Sequence, residues 1–131
     1  MVTFALGAQD TNGLLSMLSG FIEGIQGPQL PIRQYLWAVA RLHVDAEDLG
    51  HQFVVVTRVE HADGEQIVRV ETNVMAQKSP QYSPDLPIGV NLTLPLNLEF
   101  RREGMYQLSL TTAGELLGAA PLKVTAQYPA M

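Results

Sequence analysis

Between residues 51 and 76 the chain reads HQFVVVTRVEHADGEQIVRVETNVMA, two runs rich in Val, Ile and Thr on either side of Asp63-Gly64. That dipeptide supplies the positive φ angles of a two-residue type I′ turn, so the stretch predicts a β-hairpin. With Asp63 and Gly64 at the tip, Val59 faces Val68, Thr57 faces Val70, Val55 faces Thr72 and Phe53 faces Val74. A slip by one residue would set Phe53 against Asn73 and Val55 against Glu71, mixing polar and apolar residues on both faces.

Upstream, residues 3–8 read as a first strand and residues 9–13, QDTNG, as a turn cluster. Residues 14–25, LLSMLSGFIEGI, set Leu14, Leu15, Leu18, Phe21, Ile22 and Ile25 at spacings that suit a helix as well as a strand. Gly20 and Gly24 would each weaken a helix by about 1 kcal/mol, whereas in a strand they mark a bulge or bend. Strand is therefore expected, hairpinned to the first strand through Asn12-Gly13, with helix as the competing reading. A loop at 26–31 leads to a long strand at 33–44. One of its faces carries Leu36, Ala38, Ala40, Leu42 and Val44, the other Tyr35, Trp37, Val39, Arg41 and His43.

Downstream, residues 77–87, QKSPQYSPDLP, hold Pro80, Pro84 and Pro87 around Tyr82, which predicts a segment outside the sheet or along its edge. Residues 90–100 alternate without error, with Val90, Leu92, Leu94, Leu96, Leu98 and Phe100 inward, and Pro95 marks an edge or a bulge. Tyr106, Leu108 and Leu110 alternate next, RREG and residues 112–115 are turns, and Leu122, Val124 and Ala126 close the chain's last strand. Seven or eight short strands with turns at this spacing read as one all-β domain, an antiparallel β-sandwich.

A chain of 131 residues with 47% hydrophobic and 16% charged residues is long and apolar enough for a two-layer core, which excludes disorder. The net charge of -5, with basic residues scattered, argues against nucleic acid. Zero cysteines exclude disulfide, zinc-thiolate and Cys-nucleophile chemistry and suit a reducing compartment. The opening MVTFALGAQD does not read as a signal peptide, and no apolar run approaches the roughly 18 residues of a membrane span. A cytoplasmic protein without membrane contact is the expectation.

The order of pieces resembles a family of small bacterial domains of unknown function with an immunoglobulin-like β-sandwich. The likeness rests on LLSMLSGFIEGI, PIRQYLWAVARLHV, the hairpin RVEHADGEQIVRV, the passage FRREGMYQLSL and a terminal APLKV strand. The resemblance implies an immunoglobulin-like fold and supports strand for residues 14–25; it implies no activity and no catalytic residue.

Polar residues concentrate at 43–51, where His43, Asp45, Glu47, Asp48 and His51 would meet if strand ends and loop converge. Imidazole with carboxylate suits a divalent metal, but the spacing fits no dense ligand pattern, and an exposed turn capped by Asp45 and Asp48 explains the same residues. His61 lies about 33 Å along an extended strand from His51 and reads as a solvated residue beside the hairpin turn. The serines form no GxSxG elbow or SxxK pair, and Asn91-Leu92-Thr93 is a chance sequon. No catalytic residue, metal or cofactor is assigned.

The informative anomaly is apolar surplus on an outer face: Tyr35, Trp37 and Val39, with Val54, Val56 and Ile67 beside them, covered either by the two loops or by another protein. The expectation is a non-enzymatic interaction module that binds protein or itself through Tyr35, Trp37 and Val39 or the loop around Tyr82. A small-ligand or carbohydrate site stacking on Trp37, Tyr35 or Tyr82 is the alternative, and a metal-dependent enzyme at residues 43–51 the third.

Overall fold

A computed structural model describes residues 1–11, 14–44, 50–75 and 88–126, and every regular element among them is a strand. In chain order these are β1 (Val2–Thr11), β2 (Leu14–Ile22), β3 (Gly24–Gly27), β4 (Ile32–Val44), β5 (Gln52–His61), β6 (Gln66–Met75), β7 (Ile88–Phe100), β8 (Gly104–Thr112) and β9 (Glu115–Ala126). They form a four-stranded sheet in the order β2-β1-β4-β7 and a five-stranded sheet in the order β3-β9-β8-β5-β6.

Residues 14–25 are strand, as the glycines indicated, but they divide between the sheets. Phe4 pairs with Ile22 and Ala5 with Gly20, which leaves Phe21 as a bulged residue at φ 60°. A bulge bends its strand. Beyond Glu23, whose carbonyl accepts a 2.9 Å hydrogen bond from the Lys123 amide, the chain continues as β3 beside β9 in the other sheet. This division gives nine strands among the described residues, where the sequence pattern predicts seven or eight. It also breaks the all-antiparallel expectation, because β3 and β9 run parallel.

The hairpin register is the one the hydrophobic pattern dictates: Phe53 pairs with Val74, Val55 with Thr72, Thr57 with Val70 and Val59 with Val68. Its turn differs. His61 N–H donates to the Glu65 carbonyl at 2.8 Å and Gly64 N–H to the His61 carbonyl at 2.8 Å, enclosing three residues. Gly64 alone takes a positive φ, +98°, and the register shifts between Val59 and Glu60. Asp-Gly serves a three-residue loop ending in a left-handed glycine as well as a type I′ turn, so the dipeptide could not decide between them. Both central angles are positive instead at Ala113 (49°) and Gly114 (80°), between the paired residues Thr112 and Glu115.

Side chains from both sheets make one core. Phe4, Leu36, Leu98 and Phe100 come from the first sheet, and Val55, Val59, Leu108, Leu110, Leu122 and Val124 from the second, all fully buried. Each such side chain contributes roughly 1.5–3 kcal/mol relative to exposure. The β4/β7 ladder runs from Ile32–Phe100 to Val44–Ile88, and the core side chains it carries extend from Ile32 and Phe100 to Leu42 and Leu92. Pro95 is tolerated because β7 is an edge strand, where a missing amide breaks no second ladder.

Candidate interaction surface

Tyr35 and Trp37 project from β4 on the face of the four-stranded sheet turned away from the core. β1 pairs with β4 from Val2 to Ala5 and then leaves it, the last pair being Ala5 with Trp37. Tyr35 therefore has a cross-strand neighbour on the β7 side, Asn97, and none among the described residues on the β1 side, and it is 68% exposed. Trp37 stands between Ala5 and Pro95 and is half-buried.

Val39 does not belong to this surface. It is fully buried, because its short side chain stands between cross-strand Thr3 and Thr93, with the larger Trp37 and Arg41 on either side along β4. Val54, Val56 and Ile67 are not part of it either: β4 lies in one sheet and β5 and β6 in the other. A reading along the chain cannot tell that two successive strands join different sheets. Tyr82 and its proline-rich segment lie outside the described residues.

The same divergence that bares Tyr35 also frees a two-stranded arm. From residue 6 onward β1 pairs only with β2 among the described residues, with Gly7 opposite Leu18, Gln9 opposite Ser16 and Thr11 opposite Leu14. Leu18 is 66% exposed and Leu14 62%, since Gly7 offers no side chain to cover the first and, among the described residues, no strand lies beyond β2. Leu6 and the bulged Phe21 are exposed as well. Sequence reasoning missed this arm, although Leu14-Leu15-Ser16-Met17-Leu18 carried the signal in its apolar residues of both parities.

At the far end of the second sheet, the β5/β6 turn is clamped to the β7/β8 connection. Asp63 Oδ1 accepts from the Glu65 N–H at 2.9 Å and lies 3.1 Å from His61 Nδ1, while Oδ2 meets Arg102 Nη2 at 2.5 Å. Arg102 also reaches Glu65 Oε2 at 2.7 Å. The Glu65 N–H, and after it the Arg102 guanidinium, hold the Asp63 carboxyl down at about 2. Two carboxylates thus neutralise Arg102. His61 is not the solvated residue expected: its side chain is 15% exposed, Nε2 lies 3.1 Å from the Glu103 carbonyl, and its ring meets Tyr106 edge-on at 4.9 Å. Gly104 (φ +126°) runs beneath it, where a Cβ would approach Nε2 to 2.9 Å. The charged turn RREG is a structural corner.

His43 and His51 border one cleft of about 410 Å³, which they line with Leu42, Phe53, Glu115 and Leu117 between the ends of the sheets. Asp45, Glu47 and Asp48 lie outside the described residues. Among the described residues no three His, Cys, Asp or Glu side chains stand close enough to hold a metal ion. None of these residues forms a helix that could cross a membrane.

No curated protein and no solved structure matches the chain. Residues 1–125 match a family of unknown function, DUF6941, whose span takes in all of β1 to β8 and β9 to within a residue of its end. The chain belongs to the DUF6941 family.

Proposed function

We propose that the chain is a non-enzymatic cytoplasmic interaction module, an immunoglobulin-like β-sandwich that binds protein through the four-stranded sheet. The observation that carries this reading is the uncovered apolar surface of that sheet: Tyr35 on its face, and Leu6, Leu14, Leu18 and Phe21 on the arm. Exposed apolar clusters of this kind mark contact surfaces, and tyrosine is enriched in them.

The sandwich reading draws support from connectivity. With β4 to β9 taken as strands B, C, C′, E, F and G, B and E share one sheet and G, F, C and C′ the other. Tyr106, two residues after the start of β8, donates its hydroxyl proton to the Arg102 carbonyl at 2.8 Å, the tyrosine corner of such folds.

The test is binding with surface variants of the purified chain. A stable protein partner, another chain or a second copy, should be retained by the wild type and weakened at least tenfold by Tyr35→Asp or Leu18→Lys. No stable partner of either kind, or one indifferent to both substitutions, overturns the reading.

One observation favours small-ligand binding as a second reading. The cleft at His43 and His51 has the size of a small-molecule site, with apolar Leu42, Val44, Phe53 and Leu117 set among polar His43, His51, Gln52, Thr112 and Glu115. A ligand or glycan screen in which hits lose binding in His51→Ala and keep it in Tyr35→Asp would select this reading.

A further inference from the structure

The arm has the properties of a strand edge built to meet its own copy, an inference that rests on the protein-binding reading and names the partner. A hairpin of two strands alone is marginal in water; a third strand is what stabilises such a ribbon. Residues 6–11 and 14–19 form such a ribbon, and the outer edge of β2 has no neighbour among the described residues.

The other sheet edges carry the usual protections. β7 has Pro95, β6 has the charged Arg69 and Glu71, and β3 is four residues long. β2 has none of these. From Thr11 to Ile22 the chain holds neither a charge nor a proline, although its net charge is -5. Copies that repel each other elsewhere can approach along this neutral strip.

The pattern within the strip is self-complementary. Leu14-Leu15-Ser16-Met17-Leu18 reads nearly the same in both directions about Ser16. Two such edges paired antiparallel across a two-fold axis at Ser16 set Leu14 against Leu18 twice and Leu15 against Met17 twice. The two small serines meet at the centre. Exposed Leu14 and Leu18 from both copies then cover one another on a single face, and the paired segment stops short of the bulge at Phe21. Self-complementarity about an axis is what an isologous contact requires, whereas a foreign strand would require no symmetry.

We infer that two copies of the chain associate through their β2 edges, antiparallel about Ser16, joining two four-stranded sheets into one of eight strands. An edge this short lies at the low end of specific interfaces, under about 1,200 Å² in total, so micromolar association is expected.

The absence of cysteine allows a direct test of the axis. Ser16→Cys places one thiol on the two-fold, and Leu14→Cys places its thiol four residues from its mate. Under mild oxidation at micromolar concentration, Ser16→Cys should give a covalent dimer, with Leu14→Cys crosslinked at least tenfold less. Equal crosslinking of the two, or none, overturns the pairing. Leu18→Lys supplies the second measurement: it lowers the net negative charge and should still weaken association at least tenfold. If association instead persists in Leu18→Lys and falls in Tyr35→Asp, the edge pairing is wrong and protein binding by the sheet face stands.

Discussion

The hydroxyl of Tyr106 donates a 2.8 Å hydrogen bond to the carbonyl of Arg102, four residues earlier in the chain, while the Arg102 side chain holds Asp63 and Glu65 across the β5/β6 turn. One residue thus offers its backbone to the corner and its charge to the neighbouring hairpin. Removing the hydroxyl leaves a part-buried carbonyl without its donor, a loss of about 1 kcal/mol. Tyr106→Phe should lower the unfolding free energy by that amount, read as a lower denaturation midpoint with an unchanged slope. No change in midpoint would mean that the corner contributes nothing.

The same clamp sets a pH dependence. The Asp63 carboxyl titrates at about 2 when folded, against 3.8 for the free group. A depressed folded value means that the contribution is fully present above pH 3.8 and lost as the pH falls toward 2. Asp63→Asn should therefore flatten stability against pH between about 4 and 2, with little change in slope near neutrality. An identical acid limb in wild type and variant would contradict this.

Thr57 is fully buried in β5, and among the described residues its hydroxyl finds no hydrogen-bond partner. Its cross-strand neighbours are Val70 and Leu110. An unsatisfied buried polar group costs about 1–3 kcal/mol, and valine nearly matches threonine in shape. Thr57→Val should stabilise the chain by about 1 kcal/mol in chemical denaturation. Destabilisation would show that the hydroxyl is satisfied.

Gly64 and Ala113 both sit in the left-handed region, one as glycine and one not. A Cβ at Gly64 would meet nothing within 4 Å, so only the backbone conformation penalises it. Gly64→Ala should cost about 1 kcal/mol, and Ala113→Gly should cost nothing or stabilise slightly. Thermal denaturation of the two variants in parallel checks the sign of each.

Local pattern carried much of the fold. The pairings from Phe53–Val74 to Val59–Val68 follow from alternation alone, because a one-residue slip would bury Asn73 and Glu71. The inward set Leu92, Leu96, Leu98 and Phe100 was legible for the same reason. What alternation cannot encode is which sheet a strand joins. Chain order alone therefore sets Val54 and Val56 beside Tyr35, although β4 and β5 lie in different sheets. Val39, apolar on an outward-facing position, is buried by neighbours from β1 and β7 that are distant in sequence. The arm was hidden for a related reason. Apolar residues on both faces of residues 14–18 fit a strand buried on both sides as well as one left bare on the face of Leu14 and Leu18, and only the departure of β1 from β4 at Ala5 separates the two.

Mass in solution across a concentration series, by light scattering behind a sizing column, tests the account most directly. Self-association through β2 predicts a mass rising with concentration toward twice the 14.3 kDa of the chain, and for Leu18→Lys a rise displaced to at least tenfold higher concentration. A wild-type mass of 14.3 kDa at every concentration would contradict it.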